Sequence, residues 1–142
     1  MSDPGAPAVT RPLVALRIAV AILLGIHGYY RALTGGPAGF GQFLSSVGLP
    51  LGTGLAWAIT IFEMVGSLCL LAGRFVRPVC VLFVTNLLCG IALVHGKEGW
   101  FVVGGGRNGV EYSVLLIVCL AVLFASYPRG TASASVEGPR GA

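Results

Sequence analysis

The chain has 142 residues, of which 56% are hydrophobic and only 10% are charged. A soluble domain carries about 25% charged residues, and a disordered chain combines low hydrophobicity with high charge, so both classes are excluded for most of its length. The net charge is +4, but the Lys and Arg residues stand at the ends of apolar runs, which is the membrane pattern and excludes a nucleic-acid-binding surface. We therefore expect an integral protein of a lipid bilayer.

The first part of the chain predicts a tail, a span and a surface helix. Residues 1–12 are rich in Pro, Gly and Ala and predict a flexible tail. The apolar run that follows predicts a transmembrane helix over 13–31, because a charge inside the run and the absence of a small-residue cleavage site after it argue against a signal peptide. Residues 37–48 place apolar side chains at helical spacing over too few residues to cross a bilayer. That segment predicts a short helix in the interface.

Three further apolar runs predict the remaining spans, over 55–72, 77–94 and 110–127. Each span has about 16–20 residues, enough for an apolar bilayer core of about 30 Å. Residues 13–128 thus predict one all-α domain, an integral membrane four-helix bundle. Residues 129–142 predict a second flexible tail.

The basic residues of the loops predict the orientation. Cytoplasmic loops carry an excess of Lys and Arg. One side of the predicted bundle holds Arg11, Arg74, Arg77, Arg129 and Arg140, and the other holds Arg31, Lys97 and Arg107. We expect a multi-pass membrane protein with both termini in the cytoplasm.

Ionisable residues inside the spans are the candidates for function, because burying them in lipid is costly. Glu63 lies near the middle of the second span, and a helical wheel places Thr60 and Ser67 on the same face, flanked by Gly66. That face is expected to point into the bundle. Glu63 is then either a proton-accepting or ligand-anchoring carboxylate, or a structural one. We predict an ion pair between Glu63 and Arg17 of the first span, and the alternative for Arg17 is that its side chain extends to the cytoplasmic headgroups.

Few other residues suggest chemistry. His27 and Glu111 differ from the ordinary interfacial charges because each stands at the edge of an apolar run. His27 could bond a polar group of a ligand, and a neutral histidine with its hydrogen bonds satisfied is the alternative. Asn86 is expected to form an interhelical hydrogen bond. The sequence has no recognisable metal-ligand spacing, no C-x-x-C pair and no catalytic constellation.

Several landmarks occur in a characteristic order along the four predicted spans. They are Arg17, His27-Gly28, Leu49-Pro50, Glu63, Gly66, Gly73, Arg77, His95, Gly109 and Glu111-Tyr112. Together they resemble the DoxX family of small bacterial membrane proteins, over about residues 12–128. The chain departs from the family where many members end in Leu-Asp, since here a polar tail follows the last span.

The resemblance implies a link to quinone-based respiratory chemistry, because related chains are membrane subunits of terminal quinol oxidase and of thiosulfate:quinone oxidoreductase. It suggests a quinone as the ligand, with His27, Glu63, Glu111 and Tyr112 as candidate contacts. No haem, flavin or iron–sulfur motif occurs in the sequence, and no covalently bound cofactor is expected. We therefore expect an accessory subunit, not a complete enzyme, whose partners are lipid and other membrane or oxidoreductase subunits.

Other interpretations remain open at this point. The chain could be a structural or assembly subunit whose polar groups specify helix packing, with or without self-association into a homo-oligomer. It could also be a small transporter or proton path, since Glu63 lies within the membrane. The sequence offers no pair of broken helices of the kind that carriers use, which places transport last.

Overall fold

Five α-helices form the described part of the chain, which in this computed structural model covers residues 10–105 and 107–128. They are α1 (Arg11–Leu33), α2 (Gly36–Ser46), α3 (Gly52–Ala72), α4 (Val76–Leu93) and α5 (Glu111–Ser126). A short 3-10 turn, His95–Lys97, follows α4. The all-α prediction is confirmed, because every regular element in these residues is helical.

Three of the helices, α1, α3 and α4, are long and apolar enough to cross a membrane. The fourth apolar helix of the bundle, α5, has only 16 residues, or about 24 Å at 1.5 Å per residue. Of the predicted N-terminal tail, residues 11 and 12 already belong to α1, because a proline is tolerated in the first helical turn. The rest of that tail before residue 10, and the predicted tail at 129–142, lie outside the described residues.

Helices α1, α3, α4 and α5 form a ring in which neighbours run antiparallel. Helix α1 packs chiefly on α3, and α4 packs chiefly on α5, while the α1–α5 and α3–α4 contacts that close the ring are slighter. The short helix α2 lies across α3 and also contacts α1. We call the end of the bundle covered by α2 the α2 end, and the opposite end, where residues 73–75 join α3 to α4, the hairpin end.

The core and the outer surface of the ring are both apolar. The largest fully buried side chains include Phe83, Leu70, Leu120 and Leu123. Large apolar side chains on the outer faces of the helices are about half exposed, among them Ile22, Ile61, Val65, Leu68, Val81 and Val118. A surface of this kind is stable in contact with lipid rather than water.

Glycines set the close approach of α1 to α3. A Cβ on Gly28 would lie 2.8 Å from Cβ of Glu63 and 3.1 Å from the carbonyl oxygen of Thr60, so only a hydrogen fits there. One turn along α1, a Cβ on Gly25 would lie 2.8 Å from the hydroxyl oxygen of Ser67. Small residues at such contacts let transmembrane helices approach closely. This register places the segment after Gly28 beside the polar face of α3.

Two helices end at the hairpin end with well-defined caps. Helix α3 ends in a Schellman motif, in which Arg74 N–H donates to the Cys69 carbonyl at 2.9 Å and Gly73 N–H donates to that of Leu70 at 3.0 Å. Gly73 has a φ of +69°, which a glycine adopts without strain. At the end of α5, the Arg77 guanidinium satisfies two backbone carbonyls that the helix leaves free.

Candidate functional site

A large cleft opens at the α2 end of the bundle, with a volume of about 1010 Å³. Helices α1, α3, α4 and α5 all contribute lining residues to it. Helix α2 adds Phe40, Phe43 and Leu44 on one side. The wall is mainly apolar and includes Leu24, Phe43, Leu49, Leu55, Ile59, Phe62, Leu82, Leu93 and Leu116.

The polar floor of the cleft is centred on Glu63, which is 6% exposed. Its Oε2 accepts a hydrogen bond from Arg31 Nη1 at 2.9 Å, which is also an ion pair. Its Oε1 accepts from Asn86 Nδ2 at 3.0 Å. Arg31 Nη1 further lies 3.4 Å from the hydroxyl oxygen of Thr60. Both oxygens of the buried carboxylate therefore have a donor, which is what a charge at this depth requires.

The predicted ion pair between Arg17 and Glu63 is wrong. Arg17 lies at the hairpin end, with its guanidinium against Gly73 and 5.7 Å from the ring centre of Tyr127. Arg31 takes its place, because Gly28 packs directly against Glu63 and Arg31 follows Gly28 by one helical turn. At 1.5 Å per residue, Arg31 is about 4.5 Å from the level of Gly28, well within the reach of its side chain.

The expected interhelical role of Asn86 is observed, since its bond to Glu63 joins α4 to α3. Gly66, one turn further along α3, gives the same two helices room to meet. A Cβ at that position would lie 3.1 Å from the ring of Phe83, which packs on Phe62 with ring centres 4.6 Å apart. The α3–α4 contact is thus an aromatic pair with a polar bond above it, and the cleft begins where these contacts end.

Histidines stand at the mouth of the cleft. His27 Nδ1 lies 3.0 Å from the carbonyl oxygen of Leu23, and His95 Nδ1 lies 2.8 Å from that of Asn108. A carbonyl oxygen only accepts, so both Nδ1 atoms carry the proton. In a neutral ring the remaining nitrogen, Nε2, is then a hydrogen-bond acceptor. Both histidines and Tyr112 line the cleft.

Comparison with known proteins identifies the family. A family model described as DoxX matches residues 13–96. The chain belongs to the DoxX family. No curated protein and no solved structure matches it. The matched part of this DoxX chain runs from α1 to the turn after α4, so it contains Arg31, Glu63 and Asn86 but not α5.

Of the candidate contacts in this DoxX protein, Glu111 is separated from the others. His27, Glu63 and Tyr112 line one cleft, whereas Glu111 is not among its lining residues. Its Oε1 accepts from the backbone N–H of Val102 at 2.9 Å. The same loop folds back on itself through a bond from Glu111 N–H to the carbonyl of Trp100 at 3.1 Å. Glu111 therefore holds the loop between α4 and α5 in place.

Sequence reasoning missed two features of the DoxX site. Arg31 was placed among ordinary loop charges, although a helical wheel puts it on one face of α1 with Arg17 and His27. The second feature is that α2, which overlaps the predicted interfacial segment at 37–48, turns Phe40, Phe43 and Leu44 toward the cleft. The Phe40 ring centre lies 4.7 Å from the guanidinium carbon of Arg31, a cation–π contact that ties α2 to the polar floor.

Metal ligation finds no support in the described residues of this DoxX chain. Among residues 10–105 and 107–128, no group of three or more His, Cys, Asp or Glu side chains is placed to hold a metal ion. His27 and His95 are each directed by a backbone carbonyl, and Glu63 is engaged by Arg31 and Asn86. What the cleft offers instead is a set of hydrogen-bonding groups facing a large apolar volume.

Proposed function

We propose that this DoxX protein is a membrane subunit of a quinone-linked redox assembly and that its cleft binds the quinone. The observation that carries the proposal is the combination of a cleft of about 1010 Å³, mostly apolar, with a small polar floor. Ligand sites of this kind fix orientation with few polar groups and supply affinity through apolar walls. A quinone matches both parts, since it has an apolar prenyl tail and a flat ring with two carbonyl oxygens.

The floor divides into positioning and contacting groups. Glu63 is a positioning residue, because its two oxygens hold Arg31 and Asn86. Arg31 presents a positive charge to the cleft, which favours a carbonyl oxygen or a developing negative charge on the ring. The Tyr112 hydroxyl can donate to a carbonyl as well. Arg31 and Tyr112 therefore fit the oxidised quinone, because they donate hydrogen bonds and its carbonyl oxygens accept them.

His27 suits the reduced form of the ligand. With its Nδ1 proton directed to Leu23, the neutral ring presents the lone pair of Nε2 to the cleft and can accept a proton from a ring hydroxyl. The protonated ring would donate to a carbonyl instead. His27 can therefore bind both forms of the quinone. Its Nε2 accepts from a hydroxyl of the reduced form when it carries no proton, and donates to a carbonyl of the oxidised form when it carries one.

The cleft also reaches the apolar outer surface of the bundle, which favours a lipid-soluble ligand. Leu55 and Leu82 line the cleft and are also exposed on the outer surface, by 38% and 53%. Thr85 and Cys89 of α4 share this position. A molecule dissolved in lipid would enter between α3 and α4 without passing through water. Electrons would be exchanged with a partner subunit, because the sequence carries no motif for a bound redox centre.

Purified protein in mild detergent is expected to bind ubiquinone-1, a quinone with one prenyl unit. Binding raises the melting temperature in proportion to occupancy, and the rise can be followed by tryptophan fluorescence. The combined change His27→Ala and Tyr112→Phe removes two polar contacts and should weaken binding about tenfold. Glu111→Gln is the matched control, since Glu111 lies outside the cleft.

Two results would overturn this proposal. One is the absence of any rise in melting temperature with ubiquinone-1. The other is an equal loss of affinity in the double variant and in Glu111→Gln. Gentle affinity purification supplies the second half of the test, because a stoichiometric oxidoreductase subunit is expected to accompany the chain. A bundle that holds neither quinone nor partner would favour a structural role.

The same proposal includes the orientation in the bacterial inner membrane, with the hairpin end toward the cytoplasm. Arg11, Arg74 and Arg77 stand at that end, which fits the bias of cytoplasmic loops toward basic residues. A green fluorescent protein fused to the C-terminus is expected to be fluorescent, because it folds in the cytoplasm. An active alkaline phosphatase fusion at the same point would place the hairpin end outside.

A further inference from the structure

We propose that the hairpin end is a binding site for an anionic phospholipid. The phosphate is bound by the Arg17 and Arg77 guanidinium groups near Tyr127, and one acyl chain lies in the groove between α4 and α5. This site differs from the polar floor of the cleft, although the groove and the cleft meet at Thr85 of α4.

The charges of the described residues are unevenly divided between the two ends. The α2 end holds Arg31, Lys97 and Arg107 together with Glu63, Glu98 and Glu111. The hairpin end holds Arg11, Arg17, Arg74 and Arg77, and in residues 10–105 and 107–128 no acidic residue accompanies them. The cleft end is therefore balanced within itself, whereas the hairpin end carries a surplus of positive charge. Basic pockets of this kind between transmembrane helices bind anionic headgroups.

Arg17 needs an acceptor that the described residues do not supply. Its Nε is buried and has no hydrogen-bond partner within them. Its guanidinium lies against Gly73, at the end of α3, and 5.7 Å from the ring centre of Tyr127. A buried donor left without an acceptor is costly. A phosphate at the guanidinium would lower that cost by supplying acceptor oxygens and negative charge.

Arg77 is held in a fixed position at the end of α5. Its Nη1 donates to the carbonyl oxygens of Phe124 at 2.9 Å and Tyr127 at 3.1 Å. Its guanidinium carbon lies 3.9 Å from the ring centre of Phe124. Both bonds use Nη1, so Nη2 and Nε are the donors directed elsewhere. A guanidinium anchored in this way is well ordered for a phosphate.

An apolar groove begins where Arg77 is anchored. It has a volume of about 230 Å³ and lies between α4 and α5. Its walls come from Cys80, Val81, Val84, Thr85, Leu120, Ala121 and Phe124. Phe124 thus belongs both to the groove and to the contact with Arg77. A phosphate and an acyl chain belonging to one molecule would occupy the two places together. The apolar groove distinguishes a phospholipid from free phosphate as the occupant.

The headgroup is tested with the full chain in mixed micelles that contain either dioleoylphosphatidylglycerol or dioleoylphosphatidylcholine. Phosphatidylglycerol is expected to raise the melting temperature of the protein more than phosphatidylcholine does. The changes Arg17→Gln and Arg77→Gln remove the charge and keep an amide donor in each place. Each should weaken the apparent affinity for phosphatidylglycerol about fivefold. Arg107→Gln at the α2 end is the control and should leave the affinity unchanged.

The groove is tested by a second pair of variants at adjacent positions of α5. Ala121→Trp fills the groove and should abolish the preference for phosphatidylglycerol, whereas Val122→Trp, on the exposed surface beside it, should keep it. Equal effects of the two lipids on the wild-type protein would overturn the proposal. So would a preference that survives both arginine changes, or one that inorganic phosphate reproduces at the same concentration.

Discussion

Replacing Glu63 by glutamine is expected to destabilise the bundle by about 2–3 kcal/mol. Glutamine fills the same space and can still accept from Asn86, but it leaves the charge of Arg31 without its partner. Breaking a buried ion pair from one side costs about 3–5 kcal/mol, and the value is lower here because the Arg31 side chain is 21% exposed. Thermal unfolding in detergent measures the change as a fall of several degrees in melting temperature.

The control for that prediction is Glu111→Gln. This change replaces a carboxylate that accepts a hydrogen bond in an exposed loop, and it should lower the free energy of unfolding by less than about 1 kcal/mol. The combined change Arg31→Met and Glu63→Gln removes both charges and should recover much of the lost stability, since an uncharged pair no longer leaves a buried charge unpaired. If Glu63→Gln were as stable as the wild type, the carboxylate would not be the partner that keeps Arg31 in the cleft.

Enlarging Gly28 is expected to separate α1 from α3. A Cβ at this position would meet Glu63 Cβ at 2.8 Å and the backbone nitrogen of Met64 at 3.1 Å, and backbone atoms cannot rotate away. Gly28→Ala should cost about 1–3 kcal/mol, in the range of overpacked cores, and Gly28→Leu should cost more. Because Arg31 follows Gly28 by one turn, the same changes should also weaken the Arg31–Glu63 pair.

Gly39 provides the matched control for Gly28. It lies within α2, and an added Cβ there meets no atom within 4 Å. Gly39→Ala should therefore leave the melting temperature equal or higher, since alanine favours a helix by about 1 kcal/mol over glycine. Similar losses in the two variants would mean that the α1–α3 contact is looser than the packing at Gly28 indicates.

The helices could be predicted from the sequence because apolar run length is a local property. The run at 55–72 lies within α3, and the run at 77–94 nearly coincides with α4. The glycine at position 73, directly after the first run, indicates in the sequence where the Schellman cap of α3 forms. The start of α3 was less predictable. Residues 52–54 are polar or glycine, and they become helical because α2 packs on them, which is a contact between distant parts of the chain.

The ion pair could not be predicted, because it depends on the register between two helices. Arg17 and Arg31 share a face of α1, and counting residues from the membrane surface favoured Arg17 as the partner of Glu63. The register is set by Gly25 and Gly28, whose significance appears only once α3 lies against them. Glycines on the same face as a charged residue are the signal in the sequence that could have favoured Arg31.

Tyr112 and Glu111 illustrate a second limit of sequence reasoning. They are adjacent at the start of α5, so their side chains leave the helix about 100° apart. Tyr112 turns into the cleft, while Glu111 turns to the loop and accepts from Val102. An apolar run identifies both as residues at the edge of a span. It does not identify which of the two faces the interior.

The uneven packing of the ring makes the protein a pair of half-bundles. One half is α1 with α3 and α2, the other is α4 with α5, and they are joined across α3 and α4 by the Phe62–Phe83 stack and the Asn86–Glu63 bond. Any molecule bound between the two half-bundles contacts both of them and adds to the contacts that join them. Removal of the proposed lipid-soluble ligand by detergent would loosen this junction, so the melting temperature of a preparation should rise with the fraction of that ligand it retains.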